Sequence, residues 1–370
     1  MNAANKRYTV LLLSAPIGSG HKLAAEALEQ VFAADKAVHV VHGNIFDFFP
    51  HFLGTGFLKV YLQMLQHFPW MYKYMYKWGN QEKGSFWMKN LINGILARLG
   101  KKYLEKVAPD AVIATHATPA GIIGIYKKHL PKKLFLGAVI TDFTIHKWWI
   151  CSGVDTYFIA DKRLTDRLPA DAEIYAYGIP VRQNFAQADG SAWRQKLGIG
   201  DEEKICLLLG GGEGLLPMAE IVTALQQKGN MHKVRIVAVT GHNKQLFTKL
   251  QQCKADRLTI YGFTDQLPEI MTAADIVVSK AGGLTSAEVL SLGKRFIIYK
   301  PLPGQEEGNA AFLHRHCGAV IAKSTAEVAD FVQSFSQQET EALQADITRL
   351  QAAEKICSCV MSHIRQNEIA

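Results

Sequence analysis

The sequence predicts an α/β protein built from two doubly wound parallel-sheet domains, and three observations carry that expectation. Apolar runs of strand length alternate with helix-length amphipathic segments through both halves of the chain. Glycine-rich turns follow three of the strand-like runs, at Gly18-Ser-Gly20-His21, Gly210-Gly-Gly-Glu-Gly214 and Gly282-Gly283. At 370 residues the chain is long for one core and suits two.

In the first half, strands are expected over Tyr8–Ser14, Val38–Asn44, Ala111–Thr115, Leu134–Thr141 and Thr156–Ala160. A helix over Leu23–Ala33 follows the first glycine turn, and a long insertion over residues 52–107 reads as mostly helical. Gly and Pro in Tyr177-Gly-Ile-Pro-Val-Arg182 punctuate a boundary, which divides a first domain, residues 1–182, from a second, residues 183–340. The second opens with a short helix at Trp193–Leu197. Its strands are expected over Lys204–Leu209, Arg235–Val239, Leu258–Tyr261, Ile276–Val278, Arg295–Tyr299 and Ala319–Ile321. The tail, residues 341–370, has a helical pattern and is expected to pack across the junction between the domains. Ligands of such sheets bind beyond the carboxyl ends of the strands, where all three glycine turns fall, in a cleft between two facing domains.

Composition narrows the class. Six cysteines form no C-x-x-C pair and no zinc spacing, so reduced, mostly buried thiols in a cytoplasmic protein are expected, without disulfides. The apolar run near the N-terminus is only a strand long, and no run reaches the length of a membrane span. The net charge of +8 is concentrated: between Thr55 and Lys106 stand nine Lys and Arg against two Glu. Aromatic residues are interleaved there, among them Trp70, Tyr74 and Trp87, with Lys73 and Lys77 between them. Amphipathic rings with cations suit the surface of an anionic bilayer, and a helical hairpin packed on its own domain is the structural alternative. No RNA-binding signature accompanies them, so no nucleic-acid partner is expected.

The most informative stretch is Asp275-Ile-Val-Val-Ser-Lys-Ala-Gly-Gly-Leu-Thr-Ser-Ala-Glu288. An apolar strand runs through paired glycines into a helix that carries a carboxylate in its second turn. Glycines let backbone N–H groups approach an anion at a helix N-terminus, and Glu288 is spaced to accept from ribose hydroxyls. Taken alone, the Gly-Gly is equally a plain tight turn.

With these residues in hand, the chain resembles the lipid-sugar branch of the GT-B glycosyltransferases: the monogalactosyldiacylglycerol synthases and the processive diacylglycerol glucosyltransferases, which are family 28-like. The matching stretches are Ser14-Ala-Pro-Ile-Gly-Ser-Gly-His21, Thr115-His-Ala-Thr-Pro119, Thr141-Asp-Phe-Thr-Ile-His-Lys-Trp148 and Gly178-Ile-Pro-Val-Arg182. In the second half they are Tyr261-Gly-Phe263, Ser279-Lys-Ala-Gly-Gly-Leu-Thr-Ser-Ala-Glu288 and Gly304-Gln-Glu-Glu-Gly-Asn309. The resemblance implies two facing Rossmann-like domains with a cleft between them, and a UDP-hexose donor.

On the donor side it implies that Phe263 stacks near the uracil, Glu288 holds the ribose, and Gly282 and Gly283 face the diphosphate. Gln305 and Glu306 hold the sugar hydroxyls, and Arg182 contacts the phosphates. Gly20, Gly211, Gly212, Thr285 and Asn309 complete the donor set. His21 is the candidate base for the acceptor hydroxyl, since a helix N-terminus lowers its pKa and keeps it neutral. Asp142 and His146 are the alternatives, and His116, His146 and Trp148 line the acceptor side, with Trp70, Lys73, Tyr74 and Lys77 toward the membrane. No metal and no resident cofactor are expected; the UDP-sugar is a co-substrate.

The resemblance further implies inversion, so that a UDP-α-sugar, with UDP-glucose expected, gives a β-glycosyl diacylglycerol at the inner membrane face. The segment Ile150-Cys-Ser-Gly-Val-Asp155 departs from the family, whose members carry His or Pro shortly after the tryptophan. The competing readings are a peptidoglycan-type UDP-GlcNAc transferase acting on a lipid-linked acceptor, a UDP-sugar 2-epimerase of the same fold, and a non-catalytic nucleotide-sugar-binding protein.

Overall fold

A computed structural model describes residues 7–15, 19–48, 86–130, 133–200, 202–229, 231–253, 255, 257–337 and 347–369. The chain divides into two compact units: residues 1–182, 303–305 and 351–370 form the first, and residues 183–302 and 306–350 the second. Helices of fewer than eight residues are left unnumbered below.

The first unit contains β1 (Tyr8–Ser14), α1 (Ser19–Phe32), β2 (Val38–Asn44), α2 (Phe86–Val107), β3 (Ala111–Ala114) and α3 (Ala117–Tyr126). There follow β4 (Phe135–Val139), β5 (Thr156–Phe158) and β6 (Glu173–Tyr175). They form a six-stranded sheet in the order β2-β1-β3-β4-β5-β6, with every pair parallel. Parallel strands require crossovers, and with both faces covered the central strands read as continuous apolar runs. β3 and β4 are buried at every position.

Val10, Leu12, Ile113, Phe135 and Phe158 of this sheet pack with Ala25, Leu28 and Phe32 of α1. The C-terminal helix α9 (Ala352–Ile369) adds Ala353, Ile356, Cys357, Val360 and Ile364 to the same cluster. The tail expected to lie across the junction therefore enters the first unit's core, because its apolar stripe finds α1 and β4 as partners. Each Val, Leu, Ile or Phe among them, fully buried, contributes about 1.5–3 kcal/mol.

The second unit contains β7 (Lys204–Leu209), α4 (Met218–Gln227), β8 (Val234–Val239), α5 (Lys244–Gln251), β9 (Leu258–Tyr261) and β10 (Ile276–Ser279). After these come α6 (Gly283–Ser291), β11 (Arg295–Tyr299), α7 (Gln305–Cys317), β12 (Val320–Ala322) and α8 (Thr325–Gln337). Its sheet, also wholly parallel, has the order β12-β11-β10-β7-β8-β9. Chain order reverses beside β7, the kind of switch point where such sheets open a crevice at their carboxyl ends. Leu208, Ile236, Val278 and Ile297 pack with Ile221 and Val222 of α4 and Val328 and Val332 of α8.

One further departure from the sequence reading has a local cause. Strand β6 was not expected, since Glu173-Ile-Tyr175 is a three-residue edge of mixed polarity. Asp275 sits in a bend before β10, where its carboxylate accepts from Ile205 N at 2.8 Å and faces Arg194 and Lys204. All six cysteines are free.

Candidate functional site

The first unit gathers its chemistry at the carboxyl ends of three adjacent strands. Because β1, β3 and β4 are neighbours in the sheet, the loops that leave them converge. β1 leads to Gly20 and His21 in the first turn of α1; β3 leads to Thr115 and His116; β4 leads to Thr141, Asp142 and His146. His21 Nδ1 lies 2.7 Å from the Thr115 carbonyl oxygen and 2.8 Å from Thr141 Oγ1. A carbonyl oxygen only accepts, so the network assigns the proton to Nδ1 and leaves the Nε2 lone pair available. Burial pushes the His21 imidazole down to about 4, against the smaller opposing pull of the Thr115 hydrogen bond. The neutral ring expected from a helix N-terminus is thus obtained, but desolvation is the cause.

His116 stands edge-on to His21, with ring centroids 4.9 Å apart. It is the N-cap of α3, where its Nδ1 accepts from Thr118 N at 3.2 Å. Burial, then the neighbouring His21 and His146, hold it well below the ordinary histidine range. His146 does the same capping service for the turn Lys147–Trp149, accepting from Trp148 N at 3.2 Å. Its ring meets the Trp148 ring edge-on at 5.9 Å. Trp148 Nε1 and Thr115 Oγ1 are buried with no hydrogen-bond partner among the described residues. Asp142 is buried at the end of β4. Trp70, Lys73, Tyr74 and Lys77 lie outside the described residues.

The second unit builds its site from the loops after β7, β8, β9, β10 and β11. Gly211, Gly214 and Gly241 have φ of 70°, 58° and 61°. The β7 and β8 loops interlock: His242 N donates to Gly212 O at 2.8 Å, and a Cβ at Gly241 would come within 2.3 Å of that same oxygen. Only glycine satisfies both the dihedral and the space. Phe263, after β9, is 65% exposed and lies flat on His242, with ring centroids 4.5 Å apart at 11°. An aromatic face of that exposure offers itself to a planar ring rather than to the core.

Gly282 is the extended N-cap of α6, and Gly283 its first residue; Ser286 N donates back to Gly282 O at 2.9 Å. Thr285 is half-buried on this helix and Glu288 is 3% exposed. Before the glycines, Ala281 adopts φ 75°, in the left-handed region. The wholly buried Asn309 holds it there, Nδ2 donating to Ala281 O at 3.1 Å. Asn309, expected among the donor contacts, supports this turn. Lys280 Nζ donates to Glu306 Oε1 at 3.1 Å, while Glu306 Oε2 accepts from Leu302 N at 2.7 Å. This part-buried ion pair, whose Glu306 Oε1 would lie 3.9 Å from a Cβ added at Gly282, was not expected. A cation between a strand-end serine and a glycine turn was its signal in the sequence. Gln305 and Arg182 group with the first unit, Arg182 half-buried at the end of that unit's first stretch of chain. Among the described residues no three His, Cys, Asp or Glu side chains are grouped to hold a metal ion.

Two such parallel sheets, with glycine turns and helix N-termini at the strand ends, are the architecture of the GT-B fold. The structure of MurG from Acinetobacter baumannii shares this fold, with a TM-score of 0.63 over 96% of this chain and 99% of that one, at 17% identity. Residues 21–181 match the family model of monogalactosyldiacylglycerol (MGDG) synthase, and residues 205–356 match the glycosyltransferase family 28 C-terminal domain. The chain belongs to this family of glycosyltransferases, its first unit of the MGDG synthase type and its second of the family 28 type. It is 28% identical over 354 residues to a processive diacylglycerol beta-glucosyltransferase of Bacillus pumilus (strain SAFR-032), covering 90% of this chain and 88% of that protein. A protein of the same name in Bacillus cereus (strain ATCC 10987 / NRS 248) is 29% identical over 385 residues, covering 98% and 96%.

Proposed function

We propose that this chain moves a hexose, glucose, from a UDP-sugar to the hydroxyl of diacylglycerol with inversion, at an anionic membrane surface. The observation that carries the reading is the fixed tautomer of His21: a neutral ring, Nδ1 tied to Thr115 O, with Nε2 free to take a proton. That geometry suits an enzyme that must deprotonate an alcohol, and a protein that merely held a nucleotide sugar would not need it. The relatives' name, diacylglycerol beta-glucosyltransferase, supports the acceptor and the sugar.

In this mechanism the acceptor hydroxyl loses its proton to His21 Nε2 as its oxygen bonds to the anomeric carbon. The bond from that carbon to the diphosphate breaks on the opposite face, and UDP departs with the electron pair. Its growing charge meets the N-terminal amides of α6, with Lys280 and Arg182 as cationic partners, so no divalent ion is required. Phe263 takes the uracil face and Glu288 the ribose; Gln305 and Glu306 read the sugar. His116, His146 and Trp148 border the acceptor.

Membrane contact is supported by α2. Leu91, Ile92, Ile95 and Leu99 are 54%, 41%, 51% and 51% exposed on it, amid exposed Arg98, Lys101, Lys102 and Lys106. Among the described residues no helix is long and apolar enough to cross a membrane, so the contact would be peripheral. The test is to incubate the protein with a panel of UDP-hexoses and vesicles of diacylglycerol in anionic lipid. A β-glucosyl diacylglycerol, identified by mass and anomeric configuration, is the expected product. Transfer only to a lipid-linked peptidoglycan precursor, or no transfer with any UDP-hexose, would overturn the reading.

A further inference from the structure

From Lys89 to Leu99, helix α2 is patterned inside out. Its outward positions carry the large aliphatics Leu91, Ile92, Ile95 and Leu99. Among its described residues the inward positions are Lys89 and Asn93, each 4% exposed, followed by the apolar or small Ala97, Gly100 and Leu104. A lysine is seldom buried without a specific partner, because its ammonium must give up water. Here Nζ donates to the carbonyl of Ile150 at 2.7 Å.

That carbonyl belongs to the segment that follows the His146-capped turn. The segment is clasped from two sides. On one, α3 approaches so closely that a Cβ at Gly124 would come within 2.1 Å of Ser152 O, and one at Gly153, with φ 87°, within 2.6 Å of Gly124 O. On the other stands Lys89, with Asn93 wedged against Gly121 of α3. Within the segment, Cys151 Sγ lies 3.1 Å from Trp148 O, and Tyr157 Oη binds Trp149 O at 3.1 Å and Cys151 N at 3.2 Å. From Lys89 to His146 the path therefore runs through a short, fully tied piece of chain. The same helix faces outward with its apolar stripe.

We propose that Lys89 is a positioning residue that makes the alignment of the His146 turn depend on the seating of α2 at a lipid surface. The inference rests on the acceptor reading above. Binding of the outer stripe fixes the helix; the ammonium on its inner face holds Ile150 O, and the turn that carries His146 and Trp148 is held with it. The enzyme is then faster on diacylglycerol in a bilayer than on the same acceptor dispersed in water.

The test compares glycolipid formation on anionic vesicles with formation on dispersed short-chain diacylglycerol, for wild type, K89M, K89R and the outer-face variant L99E. Wild type is expected to show at least a tenfold higher kcat on vesicles. K89M should lose that advantage while its KM for UDP-hexose stays within twofold and its flotation with vesicles is unchanged; K89R should recover most of it. L99E, altered only at an exposed position, should lose flotation and the advantage together. Retention of the full vesicle advantage by K89M at an unchanged melting temperature would overturn the proposal, as would retention by L99E without flotation. Equal losses on both acceptors with a raised UDP-hexose KM would reduce Lys89 to a structural role and overturn it as well. Failure of wild type to glycosylate either acceptor would instead strike the acceptor reading itself.

Discussion

The Nδ1 atom of His21 and the carbonyl oxygen of Thr115 stand 2.7 Å apart, and this one contact decides which nitrogen of the ring can act as a base. Thr115 belongs to the loop after β3 and His21 to the first turn of α1 after β1, so the contact exists because β1 and β3 are paired in the sheet. Thr141 Oγ1, from the loop after β4, closes the arrangement at 2.8 Å.

The pH dependence follows with a definite sign. Burial lowers the folded-state pKa of His21 from 6.5 to about 4. Neutral His21 is the competent base, so activity should persist below pH 6 and fall only as pH drops through about 4. Stability behaves differently: between pH 6.5 and 4 the unfolded chain binds a proton that the folded ring refuses. Stability is complete above 6.5 and declines as pH falls across that window, by up to about 3 kcal/mol from His21, with His116 adding in the same direction. Thermal melts and initial rates from pH 7 to 4.5 separate the two effects: rates at low temperature should hold while the melting temperature falls.

Phe263→Ala should raise the KM for the UDP-sugar about tenfold, the loss of one base-stacking contact. Because Phe263 is 65% exposed, its removal should leave the melting temperature unchanged. Parallel kinetics and melts check both halves; a large drop in stability would assign Phe263 to the core.

Gly241→Ala should destabilise the second unit by roughly 1–3 kcal/mol and weaken donor binding, since φ of 61° and a 2.3 Å approach to Gly212 O both oppose a side chain. Denaturant unfolding with UDP titration measures the two losses, which should appear together.

Ile95→Glu on the outer face of α2 should reduce flotation with anionic vesicles severalfold without lowering stability, because the side chain is 51% exposed. Raising salt should weaken the wild-type interaction, as the exposed Arg98, Lys101, Lys102 and Lys106 are screened.

Strands β1, β2, β7, β9 and β11 were legible to the residue, because each reads as a short β-branched or apolar run bounded by turn signals, most continuously in the largely buried β1, β7 and β11. The glycine turns were legible as strand-to-helix junctions for the same reason. What escaped was long-range. The 173–175 edge has too few residues for a periodic signal, and the stripe of α9 tells that it is buried but not on which body. The Lys280–Glu306 pair joins the loop after β10 to the first turn of α7, and Lys89 reads in sequence as one more surface cation among nine. Asn309 was recognised as part of the motif, yet only its bond to Ala281 O shows that it shapes the turn. A motif reports which residues assemble, and packing decides which of them stays free to touch a ligand.

The central claim is that His21 Nε2 takes the acceptor's proton during sugar transfer. Its most direct test is the rate of glucosyl diacylglycerol formation by His21→Ala at saturating UDP-glucose, with UDP affinity measured on the same preparation. The account predicts a loss of roughly a hundred- to ten-thousandfold in rate with UDP binding held within a few fold. Turnover at the wild-type rate by that variant would contradict it.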